Sequence, residues 1–265
     1  MTAFLDLFSG IGGFALAAYW AGLRFDKHYF SEVDDYDIKL YQKRFPEAEL
    51  LRDIKNVDYS KLPKGEWLVT GGFPCQPHSD AGLKKGAADE RDLWPECRRM
   101  LRELRPTIAL FENVRGLFTS PGRDRKGEFF NGVLSDISAC GYDCEWQVIS
   151  AADVGAPHLR KRIWVVAYSN GLRLQKTRLQ SEYIGKNSKQ KPKEWKQLFS
   201  IAAGAYKICN WQNYEQILAG DDDGLSEELD SIKGSGNAIV PQCAELIFNL
   251  SAFDRWRKIY GKKCY

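Results

Sequence analysis

Between residues 3 and 168, short apolar runs alternate with segments whose apolar side chains recur at helical spacing, and this alternation points to a mostly parallel sheet with helices on its faces. Strands are expected at residues 3–7, 27–31, 66–70, 107–112, 144–150 and 162–168. Between them Ile38, Tyr41 and Phe45 recur with helical period, as do Leu93, Cys97, Met100, Leu101 and Leu104, so each segment has an apolar face to lay on a sheet. The expected class is α/β with a doubly wound, mostly parallel sheet, filling residues 1–168.

A chain of 265 residues, 44% hydrophobic, can bury one substantial core and carry a small second lobe. Ser169-Asn170-Gly171 is a turn signal, and the polar stretch behind it has weak periodicity. Its charge is uneven. Residues 171–196 hold eight basic side chains, among them Lys189, Lys191 and Lys193, against two acidic ones, whereas residues 215–230 hold acids and no Lys or Arg. A basic segment beside Trp195, Phe199, Tyr206, Trp211 and Tyr214 suits a phosphate backbone, although a solvated loop has the same composition. Residues 169–231 are read as a small separate region. From 232 to 265 the chain passes Gly236-Asn237 into a helix that starts at Pro241, with Val240, Ala244, Ile247 and Phe248 as an apolar stripe that packs back on the first domain.

The seven cysteines are an odd number without paired spacing, which fits a reducing cytosol. With three histidines and no metal-ligand spacing among them, no metal is expected. The first apolar run is too short for a signal peptide, and no stretch approaches a membrane span of about 20 apolar residues. A monomer without a membrane partner is expected. The net charge of +3 permits a nucleic-acid partner without demanding one.

Four places carry chemistry. In Asp6-Leu7-Phe8-Ser9-Gly10-Ile11-Gly12-Gly13-Phe14 a strand runs through a Gly-rich turn into a helix, where glycines let a ligand approach the backbone. Glu32, at the end of the second strand, is an acid suited to ribose hydroxyls. The G-x-G-G spacing, short of G-x-G-x-x-G, favours a nucleoside without phosphates over a dinucleotide. The second place is Gly71-Gly72-Phe73-Pro74-Cys75-Gln76-Pro77, which follows the third strand and sets Cys75 at the carboxyl edge of the sheet, where open α/β folds bind ligands. A thiolate there is a nucleophile if nearby cationic or dipolar groups lower its pKa. Third, Glu112 closes the run from Thr107 to Phe111 and should emerge at the same edge, as an acid able to move a proton. Arg160 and Arg162 alternate, so both should point to one face of a strand, towards an anion or a base carbonyl.

In this order the pieces resemble the DNA (cytosine-5) methyltransferase family, particularly its small bacterial and phage members. The resemblance rests on Asp6 to Phe14, Phe73-Pro74-Cys75-Gln76, Glu112-Asn113-Val114, Arg160-Lys161-Arg162 and Gly236-Asn237, and covers residues 3–168 and 232–250. It implies the Rossmann-like fold of S-adenosylmethionine-dependent methyltransferases, with residues 169–231 as a small target-recognition lobe. It also implies S-adenosylmethionine as cofactor and double-stranded DNA as partner. In the reaction it implies, Cys75 attacks carbon 6 of a flipped cytosine, Glu112 serves ring nitrogen 3, Arg162 meets the base carbonyl and Arg160 supports the pocket. The cofactor contacts implied are Phe8, Ser9, Gly10, Gly12, Gly13 and Phe14 in the turn, Glu32 and Val33 after the second strand, Asp53 and Ile54 further on, and Asn237 and Ala238 in the closing motif. Pro74, Gln76, Ser79 and Asn113, with the three lysines of the insert, are the expected DNA contacts.

Departures from the family pattern are His78 where Phe is common, His158 where Gln is common, and Val33 where a larger residue often covers adenine. A transfer-RNA cytosine methyltransferase built on the same machinery is the nearest alternative, and its Cys-Phe-Thr signature is absent. A catalytically dead DNA-binding regulator would have to lack Cys75 or Glu112. A NAD-dependent oxidoreductase leaves Cys75 and the closing motif without a role.

Overall fold

The computed structural model describes residues 1–74, 92–120, 128–156, 159–169 and 239–257. Within them seven strands form one sheet: β1 (Thr2–Leu7), β2 (Lys27–Ser31), β3 (Glu49–Leu50), β4 (Glu66–Gly72), β5 (Ile108–Val114), β6 (Tyr142–Ser150) and β7 (Lys161–Ser169). Five described helices accompany them: α1 (Gly13–Trp20), α2 (Asp35–Arg44), α3 (Trp94–Glu103), α4 (Glu128–Ala139) and α5 (Pro241–Phe248). The strand order is β3-β2-β1-β4-β5-β7-β6. The pairs among β1 to β5 are parallel, whereas β7 runs antiparallel to both β5 and β6.

The six expected strands are all present. β4, β5, β6 and β7 extend beyond their expected limits, β5 to Val114, because pairing with β7 continues across Glu112 and Asn113 after the apolar run has ended. The two-residue β3 was not anticipated, being too short to show alternation.

Both faces of the sheet are covered, because successive strand residues point to opposite sides. Phe4, Phe30, Leu68, Leu110 and Trp164 lie under α1, α2 and α5, while Leu5, Leu7, Val69, Ala109, Phe111 and Val165 lie under α3 and α4. Each fully buried Leu or Phe contributes on the order of 1.5–3 kcal/mol relative to an exposed one. The α5 stripe expected from Val240, Ala244, Ile247 and Phe248 is buried, and Pro241 opens the helix, where its missing N–H costs nothing. No helix among the described residues is long and apolar enough to cross a membrane.

Candidate active site

The candidate site lies at the carboxyl edge of the parallel strands, where β1, β2, β4 and β5 end at Leu7, Ser31, Gly72 and Val114. Cys75, Gln76, Ser79, Asn237, Ala238, Lys189, Lys191 and Lys193 lie outside the described residues, as does His158.

The turn after β1 is built by its glycines. Gly12 has a φ of +89°, and Gly13 faces Ile239 so closely that a Cβ there would lie 2.7 Å from its Cγ1. Phe8 also has a positive φ, 52°. The turn is tied to β2: Ser9 N–H donates to Ser31 O at 3.2 Å, and Gly10 N–H donates to Glu32 Oε2 at 2.8 Å. The other Glu32 oxygen accepts from the amides of Val33 (2.7 Å) and Asp34 (3.1 Å). Glu32 is thus the clamp of the turn in this structure. Arg44, not anticipated from sequence, donates to Ile11 O at 2.7 Å from α2.

Around the turn, Phe14 is buried and meets Trp164 edge-on, ring centroids 5.9 Å apart, while Val33 is 64% exposed. Asp53 accepts from Lys55 N–H at 2.9 Å to cap a short 3-10 turn that begins at the buried Ile54. Its neighbour Arg52 has a φ of 57° and offers its carbonyl to the Ser31 hydroxyl at 2.6 Å. A buried hydroxyl, Ser9 Oγ, has no hydrogen-bond partner among the described residues. An unpaired buried hydroxyl in a Gly-rich turn that stays open at Gly10 fits a polar ligand tail, such as the amino-acid end of S-adenosylmethionine.

In the β4–β5 register Glu112 stands level with Gly72, which precedes Cys75 by three residues. A Cβ placed on Gly72 would lie 3.5 Å from Glu112 Oε2, 3.7 Å from Ile239 Cγ2 and 4.0 Å from Phe14 Cε2, so the acid and the Gly-rich turn border one space. Glu112 is 8% exposed. Burial pushes its carboxyl above the ordinary range, and the guanidiniums of Arg162 and Arg160 pull it back only in part. Arg162 Nε sits 3.0 Å from Glu112 Oε1, an ion pair by distance, yet its N–H is not aligned for a hydrogen bond and Oε1 lacks one among the described residues. Arg162 pairs with Glu112, whereas Arg160, expected on the same strand, lies just ahead of β7 and adds a smaller Coulombic pull on that carboxyl. Antiparallel β7 sets Arg162 opposite Val114 and Trp164 opposite Glu112, which brings the Arg162 guanidinium to the acid. Trp164, on the same face as Arg162, was missed in sequence, although the period of two on β7 could have signalled it.

Pro74 is the last described residue before Cys75. Asn113 is 2% exposed, and its carboxamide donates from Nδ2 to Phe73 O at 3.1 Å.

Beneath the Gly-rich turn lies a buried polar chain that sequence reading left without a role. The Asp6 carboxyl, fully buried, accepts from the Thr70 hydroxyl at 2.8 Å and from the Tyr41 hydroxyl at 3.3 Å, and also from the Ala15 amide in the first turn of α1. Tyr41 Oη is 2.8 Å from His28 Nε2, and Tyr19 donates to Glu47 at 2.9 Å beyond it. Burial raises Asp6 to about 8 against these hydrogen bonds and lowers His28 to about 4.

The family profile of C-5 cytosine-specific DNA methylases matches residues 2–223. The chain is 36% identical over 171 residues to the type II methyltransferase M.NlaX of Neisseria lactamica, covering 64% of this chain and 53% of that protein. It is 32% identical over 173 residues to the type II methyltransferase M.HhaI of Haemophilus parahaemolyticus, covering 65% of this chain and 50% of that one. Among solved structures, a DNMT2 mutant of Spodoptera frugiperda superposes with a TM-score of 0.53 at 25% identity, covering 65% of this chain and 51% of that chain. The chain spans about half the length of these relatives. With the profile running from β1 past the end of β7, through the Gly-rich turn, the Cys75 segment, Glu112 and Arg162, this chain belongs to the C-5 cytosine-specific DNA methylase family.

Proposed function

We propose that this protein methylates carbon 5 of a cytosine flipped out of a short, specific duplex DNA sequence, through a covalent bond between Cys75 and carbon 6. The observation that carries the reading is the buried Glu112 carboxyl, held beside Arg162 and bordering the Phe14 turn, on the strand next to the one that leads to Cys75.

Carbon 5 of cytosine is a weak nucleophile within its conjugated ring. Attack of the Cys75 thiolate on carbon 6 forms a carbon–sulfur bond and moves the electron pair of the 5,6 double bond onto carbon 5 and the ring. A protonated Glu112 supports this by donating to ring nitrogen 3, and burial favours that protonated form. Arg162 holds the Glu112 carboxyl in place and presents further donors to the base carbonyl. Once carbon 5 carries the methyl group, loss of its proton to solvent water and return of the nitrogen 3 proton to Glu112 restore the 5,6 double bond as the carbon–sulfur bond breaks and the Cys75 thiolate leaves.

S-adenosylmethionine supplies the electrophilic methyl group when bound. Phe14, Val33 and Asp53 suit its adenine, and Glu32 its ribose, which requires the carboxylate to share or exchange the amides it now accepts. Ser9 Oγ suits the amino-acid tail. Flipping the base costs a few kcal/mol, which contacts to the phosphate backbone offset. Lys189, Lys191 and Lys193 are assigned to those contacts on charge.

Incubation with duplex DNA of mixed sequence and methyl-labelled S-adenosylmethionine tests the reading. Label should enter cytosine, and bisulfite sequencing of DNA from cells expressing the protein should reveal one short motif. Cys75→Ser should leave no turnover. Label that stays out of cytosine on every substrate refutes the assignment.

A further inference from the structure

Backbone pairing of β4 with β5 ends at Gly72 opposite Glu112. One residue further the side chain of Asn113 takes over. Its Oδ1 accepts the Val114 N–H at 2.8 Å, and its Nδ2 donates to Phe73 O at 3.1 Å, so one carboxamide bridges the two strands where the next rung of the ladder would fall. With 2% exposure, Asn113 has its amide turned to protein rather than to solvent. Phe73 is held at its ring as well: it packs on Trp94 with centroids 5.5 Å apart, and Trp94 is anchored by its indole N–H to Asp136 Oδ2 at 2.9 Å.

The consequence follows from backbone geometry. The peptide between Phe73 and Pro74 is planar, so fixing the Phe73 carbonyl fixes the plane that carries the proline nitrogen. The pyrrolidine ring then holds φ of Pro74 near −65°. Between the anchored carbonyl and Cys75, the ψ of Pro74 is the one soft main-chain torsion left. Glu112, the neighbour of Asn113 on β5, faces the opposite side of the strand. One dipeptide therefore holds the acid on one side and the approach to the nucleophile on the other.

We propose that Asn113 is a positioning residue for the reaction: its carboxamide orients the Phe73–Pro74 peptide and so sets the direction in which the chain delivers Cys75 towards the base presented to Glu112. This rests on the reading of Cys75 as nucleophile, and it departs from a role for Asn113 in contacting DNA.

The test is covalent trapping on mixed-sequence duplex DNA carrying 5-fluorocytosine, with S-adenosylmethionine present, comparing wild type, Asn113→Asp and Asn113→Ala. Asn113→Asp keeps the acceptor for Val114 but sets an oxygen against Phe73 O. Misplacement of a reacting group by about 1 Å costs up to about a hundredfold in rate. Both variants should therefore be trapped at least about tenfold more slowly, with the wild-type final amplitude and with DNA affinity changed less than about twofold. A lower amplitude at the wild-type rate would mean that the residue only keeps the protein folded, and overturns the proposal. So would weaker DNA binding at an unchanged trapping rate. Wild type that methylates DNA without ever being trapped would sink the nucleophile reading, and this proposal with it. If the variants alone fail as described, that reading stands.

Discussion

Replacing Asp6 with Asn tests the buried polar chain beneath the Gly-rich turn through the pH dependence of folding. Burial raises the Asp6 carboxyl from an ordinary value of 3.8 to about 8, so between those limits the folded chain holds a proton that the unfolded chain has released. Stability from this group is complete below pH 3.8 and is lost as pH rises through about 8. His28 works in the other direction. Its ring is lowered from 6.5 to about 4, so between those values the unfolded chain holds the extra proton, and stability from His28 is lost as pH falls. The two slopes oppose each other from about pH 4 to 6.5, and above that Asp6 acts alone. With about 1.36 kcal/mol per pH unit for one proton, and half-titration near pH 8, wild type should lose on the order of 2 kcal/mol from Asp6 between pH 6.5 and 8.5. Asp6→Asn, a neutral isostere, should lack that component, so the stability difference between variant and wild type should shift by about 2 kcal/mol in favour of the variant from pH 6.5 to 8.5. Urea unfolding of both proteins at the two pH values measures it, and the subtraction removes every group they share. An identical loss in wild type and variant would refute the reasoning.

Gly13→Ala should cost about 1–3 kcal/mol by urea unfolding and weaken S-adenosylmethionine binding, because its Cβ would press on Ile239 at 2.7 Å. Glu112→Gln should lower the maximal methylation rate by at least about a hundredfold, with S-adenosylmethionine affinity measured by calorimetry nearly unchanged. Arg162→Ala, by removing the nearer cation, should raise the Glu112 pKa further and move the alkaline limb of the methylation pH profile upward; an unmoved limb would show that the ion pair has no hold on Glu112. Changing Lys189, Lys191 and Lys193 together to Ala should flatten the salt dependence of DNA binding by about 0.9 in slope for each phosphate that is no longer neutralised.

Much of the scaffold was legible because its signals are local. The six longer strands and the α5 stripe follow from periods of two and of three to four, which any short window of residues displays. The Gly-rich turn was legible for the same reason: it sits between a strand and a helix in one continuous stretch. The position of Glu32 just after β2 was legible too, but its hold on the Gly10 amide was not foreseeable, since Gly10 lies 22 residues away in sequence. Arg44 carries no signal in sequence beyond its place in a helical segment, although its guanidinium closes on Ile11.

By itself the amino-acid sequence determined which segments become strands and helices, and which residue types end at the carboxyl edge of the sheet. Tertiary structure alone decided that β7 runs antiparallel against β5, which turns Arg162 back onto Glu112, and that Tyr41 and His28 reach Asp6 beneath the turn. It alone decided that Asn113 grips the peptide before Cys75. The physical reason is that hydrophobic periodicity is written residue by residue along the chain. A buried polar side chain, in contrast, must take whichever partner the crossing elements bring within about 3 Å, and that depends on strand order and register.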